Sequence, residues 1–367
     1  MKKKVVSKKE FIIRKLLIIL GSILAVIVIL AATVKIVTII GQNRLAGNAN
    51  TEGPTLDEVM EEETEKIYDP DWQEGWISYN GKVYEFNDKI RTFLIMGIDN
   101  AHTGGDPEFE ELTKGGQADG LFLVILNPID ESIKILAVNR DTEVDILMVG
   151  IGDGGTDVID KGQITIQHAF GGGGEYSCEL TRDAVSRLFY DIPIHGYVAV
   201  NYQAVPVIND AVGGVTLTLP QEMEDVTPVN KEWTPGATVT LKGKDAYDFI
   251  HWRDTEVFES QRFRLARQKL YLKSFIKQMK AETKKDIMLP VNMYKGMKEY
   301  IVSDLGVDTI SYMTSEYMGY SFDEDDIYTM EGETEYDEEF DMEYFHPDEE
   351  ALRDLVISLF YREVDRK

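Results

Sequence analysis

Three charged residues stand at the ends of apolar runs that are typical of buried β-strands. Asp99 follows the first run, Asp119 precedes the second, and Arg140 follows the third. Open α/β sheets bind ligands in the crevice outside the carboxyl ends of their strands, so polar residues at these positions are candidates for a functional site. If the first and third strands are parallel neighbours, Asp99 and Arg140 lie at the same edge of the sheet.

The types of these residues indicate phosphate chemistry. Carboxylates such as those of Asp99 and Asp119 can hold a hard divalent cation together with water and a substrate phosphate. The planar guanidinium of Arg140 suits bidentate recognition of a phosphate. Two plainer interpretations stay open: the aspartates could form turns or helix caps, and Arg140 could pair with the adjacent Asp141.

A helix predicted over Gln261 to Met279 directs polar side chains towards its own apolar face. At 100° per residue, Arg264 and Gln268 fall on the apolar stripe, and Arg267 flanks it. The apolar stripe consists of Leu265, Leu272, Phe275, Ile276 and Met279. The opposite, exposed face consists of Arg262, Lys269, Lys273, Lys277 and Lys280. An inward guanidinium is costly unless an anionic or polar group meets it. Together with Arg253 upstream, these side chains indicate a basic pocket for an anionic ligand. The alternatives are an internal ion pair and a frayed helix end whose arginine reaches water.

The elements that must position these residues alternate between strands and helices. The apolar runs at Arg91 to Met96, Leu121 to Leu126 and Ile133 to Val138 are nearly continuous, which indicates strands covered on both faces. Helical patterns at Leu180 to Tyr190 and Ala204 to Ala211 alternate with further extended segments. The pattern predicts an α/β domain built as a three-layer α/β/α sandwich.

Two further segments flank this predicted sandwich. Trp72 to Phe86, with its Asn80-Gly81 turn, has the pattern of a hairpin. Phe322 to Glu349 is acidic and rich in tyrosine, and it is predicted as a solvated loop, with a cation site as the alternative. The helix that follows is expected to pack back onto the domain. Its apolar face consists of Leu352, Leu355, Val356, Leu359 and Phe360.

The N-terminal residues have the pattern of a membrane anchor. Leu16 to Val34 contains no charge and is long enough to span a bilayer. Because basic residues precede this span, residues 1–15 are predicted to be cytoplasmic and the bulk of the chain extracellular. A cleaved signal peptide is the alternative, although its apolar region is normally shorter. The predicted organisation is a signal anchor at 16–40, a stalk or a short acidic helix within 41–70, an extracellular domain at 71–320, and an acidic segment with a C-terminal helix at 321–367.

Composition limits the partners of this chain. It has 367 residues and a net charge of −27, and its basic N-terminus makes the predicted extracellular part more acidic still. Such a surface repels nucleic acid, because non-specific DNA affinity comes mainly from neutralisation of phosphates by Lys and Arg. The single cysteine, Cys178, excludes an intramolecular disulfide, which in an exported domain is typical of a Gram-positive-type envelope.

At these residues the chain resembles the LytR-CpsA-Psr family of envelope proteins, also labelled cell-envelope-related transcriptional attenuators. The resemblance covers about residues 90 to 280 and depends on motifs that follow one another in order behind a single N-terminal anchor. The motifs are RTFLIMGID, ADGLFLVILNP, AVNRDT, ITIQHAFGGGG, DAVGGVTLTLP, LKGKDAYDFIHWR and RFRLARQ.

The resemblance implies both a fold and an activity. The fold would be an α/β/α sandwich with a hydrophobic tunnel for a prenyl chain. The activity would be transfer of a glycopolymer, such as teichoic acid or capsule, from a polyprenyl-pyrophosphate carrier to peptidoglycan, with release of polyprenyl phosphate. The implied partners are the polyprenyl-pyrophosphate-linked glycan, the peptidoglycan acceptor and membrane lipid, without nucleic acid.

The resemblance also assigns roles to residues of this chain. Asp99 and Asp119 would position Mg²⁺ (or Mn²⁺) or activate the acceptor, and together with Arg140 and Asp141 they form the implied catalytic set. The residues implied to contact the pyrophosphate are Arg140, Arg253, Arg264, Arg267 and Gln268.

Two positions depart from the family pattern. Gln117 stands where an arginine is usual, and His251-Trp252-Arg253 replaces the usual Arg-x-Arg. With two fewer fixed positive charges, the pocket could serve a different polymer, turn over more slowly or only bind its ligand. A non-catalytic carrier-binding regulator is therefore a competing function. A transcriptional regulator is another, but the predicted export and the acidic surface argue against it.

Overall fold

The fold is built from a central mixed β-sheet with helices and smaller sheets around it. The computed structural model describes residues 33, 35–63, 71–99, 114–148, 158–223, 229–254, 257–258, 260–338 and 341–365. The strands are β1 (Trp76–Tyr79), β2 (Lys82–Phe86), β3 (Arg91–Ile98), β4 (Ala118–Asn127), β5 (Ser132–Val138), β6 (Glu143–Met148), β7 (Val158–Gln163), β8 (Tyr197–Asn201), β9 (Val215–Thr218), β10 (Thr238–Leu241), β11 (Ile301–Ser303), β12 (Ile327–Thr329), β13 (Gly332–Asp337), β14 (Met342–Pro347) and β15 (Tyr361–Glu363). The helices are α1 (35–47), α2 (Leu56–Glu63), α3 (Glu175–Leu188), α4 (Val205–Ala211), α5 (Lys244–His251), α6 (Ser260–Thr283), α7 (Leu289–Gly296), α8 (Val307–Tyr317) and α9 (Glu349–Phe360).

The central sheet has six strands in the order β11-β8-β3-β4-β5-β12. β4 runs antiparallel to both β3 and β5, whereas β8 runs parallel to β3. The first and third predicted strands are therefore parallel but are not neighbours, because the second strand lies between them. The sequence alone could not show this strand order, because the short connections between the strands are compatible with the second strand lying either between the other two or beside them.

One edge of the sheet collects the polar residues that were predicted as a site. Ile98 at the end of β3 pairs with Ala118 at the start of β4. Asp99 follows Ile98 and lies opposite Gln117, whereas Asp119 is the bulged residue between Ala118 and Gly120, so both aspartates lie at this end of the β3–β4 pair. Arg140 follows the end of β5, on the other side of β4. The order of these residues along the edge is thus set by the strand order.

Helices cover both faces of the central sheet. On one face, side chains such as Leu94 and Leu123 pack with residues of α2, α3 and α9. On the other face, Val124 and Ile135 pack with residues of α1, α6 and α8. β4 is buried along nearly its whole length, as expected for a strand covered on both sides. The three predicted apolar strands and the α/β class are therefore confirmed.

The C-terminal segment is an integral part of this fold. β12 extends the central sheet beside β5. The acidic stretch that was predicted as a solvated loop instead forms a hairpin of β13 and β14, in which the β13 side chains are exposed or half-buried. Val356 and Phe360 of α9 are completely buried in the main core, which confirms the predicted docking of this helix.

Residues ahead of the predicted domain also pack onto it. Leu45 in α1 and Leu56 in α2 are buried, and Arg44 pairs with Asp308 at 2.7 Å. The part of the predicted stalk that the structure describes, 41–63, is thus attached to the domain, and the short acidic helix is present as α2. Within the described residues, we find no helix with the length and hydropathy needed to cross a membrane. Most of the predicted anchor at 16–40 lies outside those residues.

The predicted hairpin at Trp72 to Phe86 is present as β1 and β2. Its turn residues Asn80 and Gly81 have φ values of 48° and 75°, the left-handed conformation that a tight hairpin turn requires. β15 pairs with β2, with Tyr361 opposite Phe86. The beginning and the end of the described domain therefore meet in one three-stranded sheet.

Candidate active site

Asp119 lies between two arginines at the edge of the central sheet. Its Oδ1 accepts a hydrogen bond from Nη1 of Arg140, and its Oδ2 lies 3.3 Å from Nη1 of Arg264. Nε of Arg140 is also 3.2 Å from Oδ1 of Asp141. The ion pairs considered as alternatives for both arginines are therefore present. They keep buried charges balanced, because an unpaired charge in the interior is strongly destabilising.

Arg140, Arg253 and Arg264 come from three separate segments and act on one another electrostatically. Burial lowers the pKa of Arg140 to about 10; Asp141 opposes this shift, whereas Arg264 and Arg253 add to it. Burial, and then repulsion from Arg264, likewise lowers the pKa of Arg253. The three guanidiniums are thus near enough to repel one another, and an anion among them would relieve that repulsion.

Buried polar atoms near Asp119 have no hydrogen-bond partner within the described part of the chain. They belong to Arg264 (Nε and Nη2), Tyr202 (Oη) and Gln268 (Oε1). These residues are only 4%, 6% and 5% exposed, respectively. Each unsatisfied buried group costs about 1–3 kcal/mol. Burial also raises the pKa of Tyr202, so its hydroxyl keeps the proton that it could donate to a ligand. The sequence reasoning missed Tyr202, which directly follows the observed strand β8.

Arg267 and Gln268 contact the end of α5, and Arg267 also lines a small cleft beside Trp252 and Arg253. Nε of Arg267 donates to the carbonyl of Phe249 at 2.7 Å, and its Nη2 donates to the carbonyl of Trp252. Nε2 of Gln268 donates to the carbonyl of Ile250 at 3.2 Å. Cations at a helix C-terminus satisfy its last carbonyl groups. These two residues therefore position the segment that carries His251 and Arg253, and Oε1 of Gln268 has no hydrogen-bond partner among the described residues.

Asp99, Asp119 and His251 form a group that fits a divalent cation. Their potential ligand atoms all lie within 4.8 Å of one another, and Nε2 of His251 is 3.9 Å from Oδ1 of Asp99. Carboxylates suit Mg²⁺ and Mn²⁺, and imidazole adds affinity for transition metals. His251 also stacks on Tyr247, with ring centroids 4.7 Å apart. The sequence reasoning identified the two aspartates but did not include this histidine.

Two glutamines hold the guanidinium of Arg140 and its neighbour in place. Oε1 of Gln117 accepts from Nη2 of Arg140 at 2.9 Å. Nε2 of Gln163 donates to Oδ1 of Asp141 at 3.1 Å and to the carbonyl of Glu343 at 2.7 Å. Gln117, which stands where the resemblance leads one to expect an arginine, thus supplies an acceptor. Asp141 is buried and aligns Arg140.

Two clefts lie at this edge of the sheet, one lined by Arg140 and the other by Asp99. The arginine cleft has a volume of about 550 Å³ and is lined by Gln117, Arg140, Asp141, Gln163, Arg253, Val257, Phe258, Ser260 and residues of the β13–β14 hairpin. The Asp99 cleft has a volume of about 450 Å³ and is lined by Ile98, Asp99, Lys114, Gly115, His168, Gly172, Gly173, Ala199, Asn201, Gln203 and 299–302. The arrangement can hold an anion in the arginine cleft and a second ligand in the Asp99 cleft.

Curated proteins similar to this chain carry one functional name. TagU of Halalkalibacterium halodurans, a polyisoprenyl-teichoic acid–peptidoglycan teichoic acid transferase, is 34% identical over 126 residues, which is 34% of each chain. TagV of Bacillus subtilis, named for the same activity, is 24% identical over 270 residues, 73% of this chain and 63% of its own. The similarity spans from about a third to less than two thirds of these relatives' length.

Solved structures share the fold. The crystal structure of Bacillus subtilis TagV aligns with a TM-score of 0.53 at 23% identity, over 74% of this chain and 96% of that chain. Protein gbs0355 from Streptococcus agalactiae aligns with a TM-score of 0.55 at 19% identity, over 74% and 86% of the two chains. The structure of TagT bound to LI-WTA aligns with a TM-score of 0.52 at 19% identity, over 74% and 89%.

The family model gives the widest match. The model of the LytR_cpsA_psr family covers residues 55–359, which includes every strand from β1 to β14 and both clefts. The motifs quoted from the sequence lie within this range and form the strands and helices that surround Asp119. This chain therefore belongs to the LytR_cpsA_psr family.

Proposed function

We propose that this protein transfers a glycopolymer from a polyprenyl-pyrophosphate carrier onto peptidoglycan and releases polyprenyl phosphate. One observation carries the proposal: Arg264, nearly fully buried, keeps two of its nitrogen atoms without a partner beside Asp119 and Arg140. A diphosphate offers the oxygen atoms that would satisfy these donors. The transferase names of TagU and TagV support the same activity.

In this mechanism the arginines neutralise charge that develops on the diphosphate. A hydroxyl of the acceptor attacks the phosphorus that carries the glycan, and the bond from that phosphorus to the prenyl phosphate oxygen breaks. Phosphoryl transfer depends mainly on positioning and on charge stabilisation. Arg140 and Arg253 line the cleft where the leaving prenyl phosphate would lie. The carboxylate of Asp99 or Asp119 accepts the proton of the attacking hydroxyl.

Asp99 and Asp119, with His251 beside them, would hold Mg²⁺ or Mn²⁺. When bound, the cation would supply positive charge next to the diphosphate and so lower the cost of placing that ligand beside two carboxylates. Asp119 has a second task in this proposal, because it balances the charge of Arg140 and Arg264 whenever no diphosphate is present.

The prenyl chain is proposed to lie along one face of the central sheet. Phe93, Ile95 and Phe122 on this face are only half-buried, although their strands lie in the middle of the sheet. Leu272 and Ile276 of α6, the helix that carries Arg264, are half-buried on the opposite wall. A hydrophobic tunnel between these walls would bury the prenyl chain, at about 0.8 kcal/mol for each CH₂ group.

The proposed location is the outer face of the cell membrane in a Gram-positive-type envelope. The apolar segment at 16–40 would anchor the chain, with residues 1–15 in the cytoplasm and the domain outside, where carrier lipid and peptidoglycan are accessible. Arg44 and Leu45 tie α1 to the domain. This attachment would hold the domain close to the membrane surface, so the prenyl chain need not leave the lipid completely.

A transfer assay tests the proposed function directly. Synthetic prenyl-pyrophosphate-linked glycan is incubated with peptidoglycan oligomers and Mg²⁺, and the glycan attached to peptidoglycan is measured. We expect transfer by the full chain in detergent, and a loss of about 100-fold or more in Arg140→Ala, because one lost donor to developing charge costs on that order. Arg262→Ala, which removes a charge from the exposed face of α6, is the matched control. Donor binding without any transfer in the wild-type protein would instead support the carrier-binding regulator.

A further inference from the structure

The polar edge of the central sheet continues beyond Asp99, away from the arginines. β8 lies on the far side of β3 from β4, and β11 lies beyond β8. Asn201 at the end of β8 pairs with Ile98, and Tyr300 directly precedes β11. Neighbouring strands are about 4.8 Å apart, so Asn201 lies on the order of 14 Å from the strand that ends before Arg140. Asp99 and Asp119 occupy the two strand ends between these points.

The Asp99 cleft at this end of the row differs chemically from the arginine cleft. Among the described residues that line it, none is an arginine, and its three charged residues, Asp99, Lys114 and Glu299, carry both signs. The lining also includes the amide residues Asn201 and Gln203 and the ring-bearing residues His168 and Tyr300, beside the apolar residues Ile98, Ala199, Ile301 and Val302. A wall of this composition fits an uncharged ligand that presents hydroxyl and amide groups.

Backbone groups of a glycine-rich loop form the opposite wall of this cleft. Gly172 and Gly173 have φ values of 80° and 85°, which L-residues with side chains rarely adopt. A Cβ atom on Gly115 would lie 2.6 Å from the carbonyl oxygen of His168, so only glycine fits there. Glycine at Gly115 and Gly173 lets these loop segments pack against each other, whereas at Gly172 the nearest atom to a Cβ would be Cε of Lys114 at 3.8 Å, so its peptide groups are open to a ligand.

We propose that the Asp99 cleft binds the acceptor, an uncharged saccharide rich in hydroxyl and acetamido groups. This inference rests on the proposed function and deepens it by naming where the second substrate lies. In phosphoryl transfer the attacking and leaving oxygens are roughly in line, so acceptor and leaving group must approach from opposite sides of the phosphorus. Asn201 and Arg140 lie at the two ends of the row of strand ends, with the aspartates between them, so the strand order provides two such sides. The acceptor hydroxyl forms its bond to phosphorus, the bond to prenyl phosphate breaks, and the proton passes to the carboxylate of Asp99 at the border of the cleft.

A binding experiment without chemistry tests this assignment. The full chain in detergent is titrated with a soluble β-1,4-linked N-acetylglucosamine tetrasaccharide and, separately, with inorganic pyrophosphate. We expect Gln203→Ala and Tyr300→Ala to weaken saccharide binding about tenfold, as loss of one or two hydrogen bonds or a ring contact would, while the Kd for pyrophosphate stays within about twofold. Gln221→Ala, an exposed amide remote from the cleft lining, is the matched control and keeps the wild-type Kd for both ligands.

Each outcome separates this inference from the proposed function. Unchanged saccharide affinity in both variants, or no saccharide binding by the wild-type protein, overturns the acceptor site even if pyrophosphate binds. Loss of pyrophosphate binding in parallel with saccharide binding also overturns it, because the effect would then be structural. Tyr300→Phe, which keeps the ring, and the melting temperature of each variant identify a folding defect. Saccharide binding in a protein that neither binds pyrophosphate nor cleaves the donor would refute the proposed function alone.

Discussion

Arg264 and Asp119 are 145 positions apart in the sequence, yet Nη1 of the arginine lies 3.3 Å from Oδ2 of the aspartate in the protein interior. The same carboxylate accepts a hydrogen bond from Arg140. One buried negative charge therefore holds two positive side chains that come from a helix and from a strand end. This relationship makes Asp119 important for stability as well as for the proposed reaction.

Replacing Asp119 should separate these two tasks. In Asp119→Asn the two guanidiniums lose their shared counter-ion, and we expect the free energy of unfolding to fall by about 3 kcal/mol, since breaking a buried ion pair costs roughly 3–5 kcal/mol. Inorganic pyrophosphate should raise the melting temperature of this variant more than that of the wild type, because the anion replaces the missing charge. Asp145→Asn, which breaks an exposed pair with Lys161, should change neither quantity appreciably. Equal stabilisation of wild type and Asp119→Asn by pyrophosphate would contradict the assignment.

Arg253 should bind the anion without the structural task of Asp119. It is half-buried and lines the arginine cleft. We expect Arg253→Ala to weaken binding of inorganic pyrophosphate by about tenfold or more in calorimetric titration, because a charge-assisted hydrogen bond contributes about 1.5–3 kcal/mol. Arg262→Ala provides a control with the same loss of charge. If both variants bind equally well, general surface charge and not a specific pocket attracts the anion.

The cation group predicts a nitrogen ligand that can be observed by spectroscopy. With Mn²⁺ bound, pulsed electron paramagnetic resonance should show coupling to a nitrogen nucleus, and His251→Gln should abolish that coupling. The same substitution should weaken Mn²⁺ more than Mg²⁺, since imidazole favours transition metals over Mg²⁺. Asp99→Asn should weaken both ions. A nitrogen signal that persists in His251→Gln would show that another residue holds the ion.

Filling the proposed tunnel should discriminate between donors by chain length. Ile276→Trp adds a bulky ring to the wall formed by α6 and is expected to lower the affinity for long-chain prenyl pyrophosphates at least tenfold, since the chain and the ring would compete for one space. Affinity for inorganic pyrophosphate should remain within about twofold, because the arginines are unchanged. Titration of both ligands checks the prediction, and an equal loss for the two would indicate a general distortion of α6.

How far the sequence could predict this site depends on how regular each element is. Arg264 was located by counting around a helix, and α6 is long and unbroken, so its inward orientation was confirmed. Lys269, expected on the exposed face, is half-buried and has a pKa lowered by burial, because residues beyond the helix cover it. Helical periodicity predicts in which direction a side chain points, but it does not predict which residues lie in that direction.

Contacts between distant segments could not be predicted in this way. The position of β4 between β3 and β5 depends on strand pairing, and so does the closeness of Asp119 to Arg140. The carbonyl groups that bind Arg267 become visible only when the end of α5 is placed beside α6. His251 had no recognisable spacing to another ligand in the sequence, and its place near Asp99 results from the same packing. The attachment of 41–63 was equally hidden, since its apolar residues, such as Leu45 and Leu56, are few and do not form a long periodic stripe.

Stability should depend on pH through His195, which is remote from the proposed site. This residue is 7% exposed, and its Nδ1 accepts from the backbone N–H of Thr92 at 3.2 Å. Burial, and secondarily Arg91, lowers its pKa to about 4 from 6.5. Because the folded pKa lies below the unfolded one, the unfolded chain takes up the proton first as pH falls. We expect the protonation of His195 to leave the free energy of unfolding unchanged above pH 6.5 and to lower it by roughly 3 kcal/mol by pH 4.

The His195 contribution can be isolated with a neutral substitute. His195→Asn offers an amide oxygen to the backbone N–H of Thr92 without a titratable group. Denaturant unfolding at several pH values should show a flatter decline between pH 6.5 and 4 in this variant than in the wild type. A decline of the same steepness in both proteins would assign the acid sensitivity to other groups.

The pairing of β15 with β2 has a consequence for how the chain matures. Tyr361 must lie against Phe86 before the small sheet is complete, and α9 must emerge before Val356 and Phe360 can fill the main core. A nascent chain therefore cannot reach its final packing until residues 349–363 have left the ribosome. Before that point both the small sheet and the main core are incomplete.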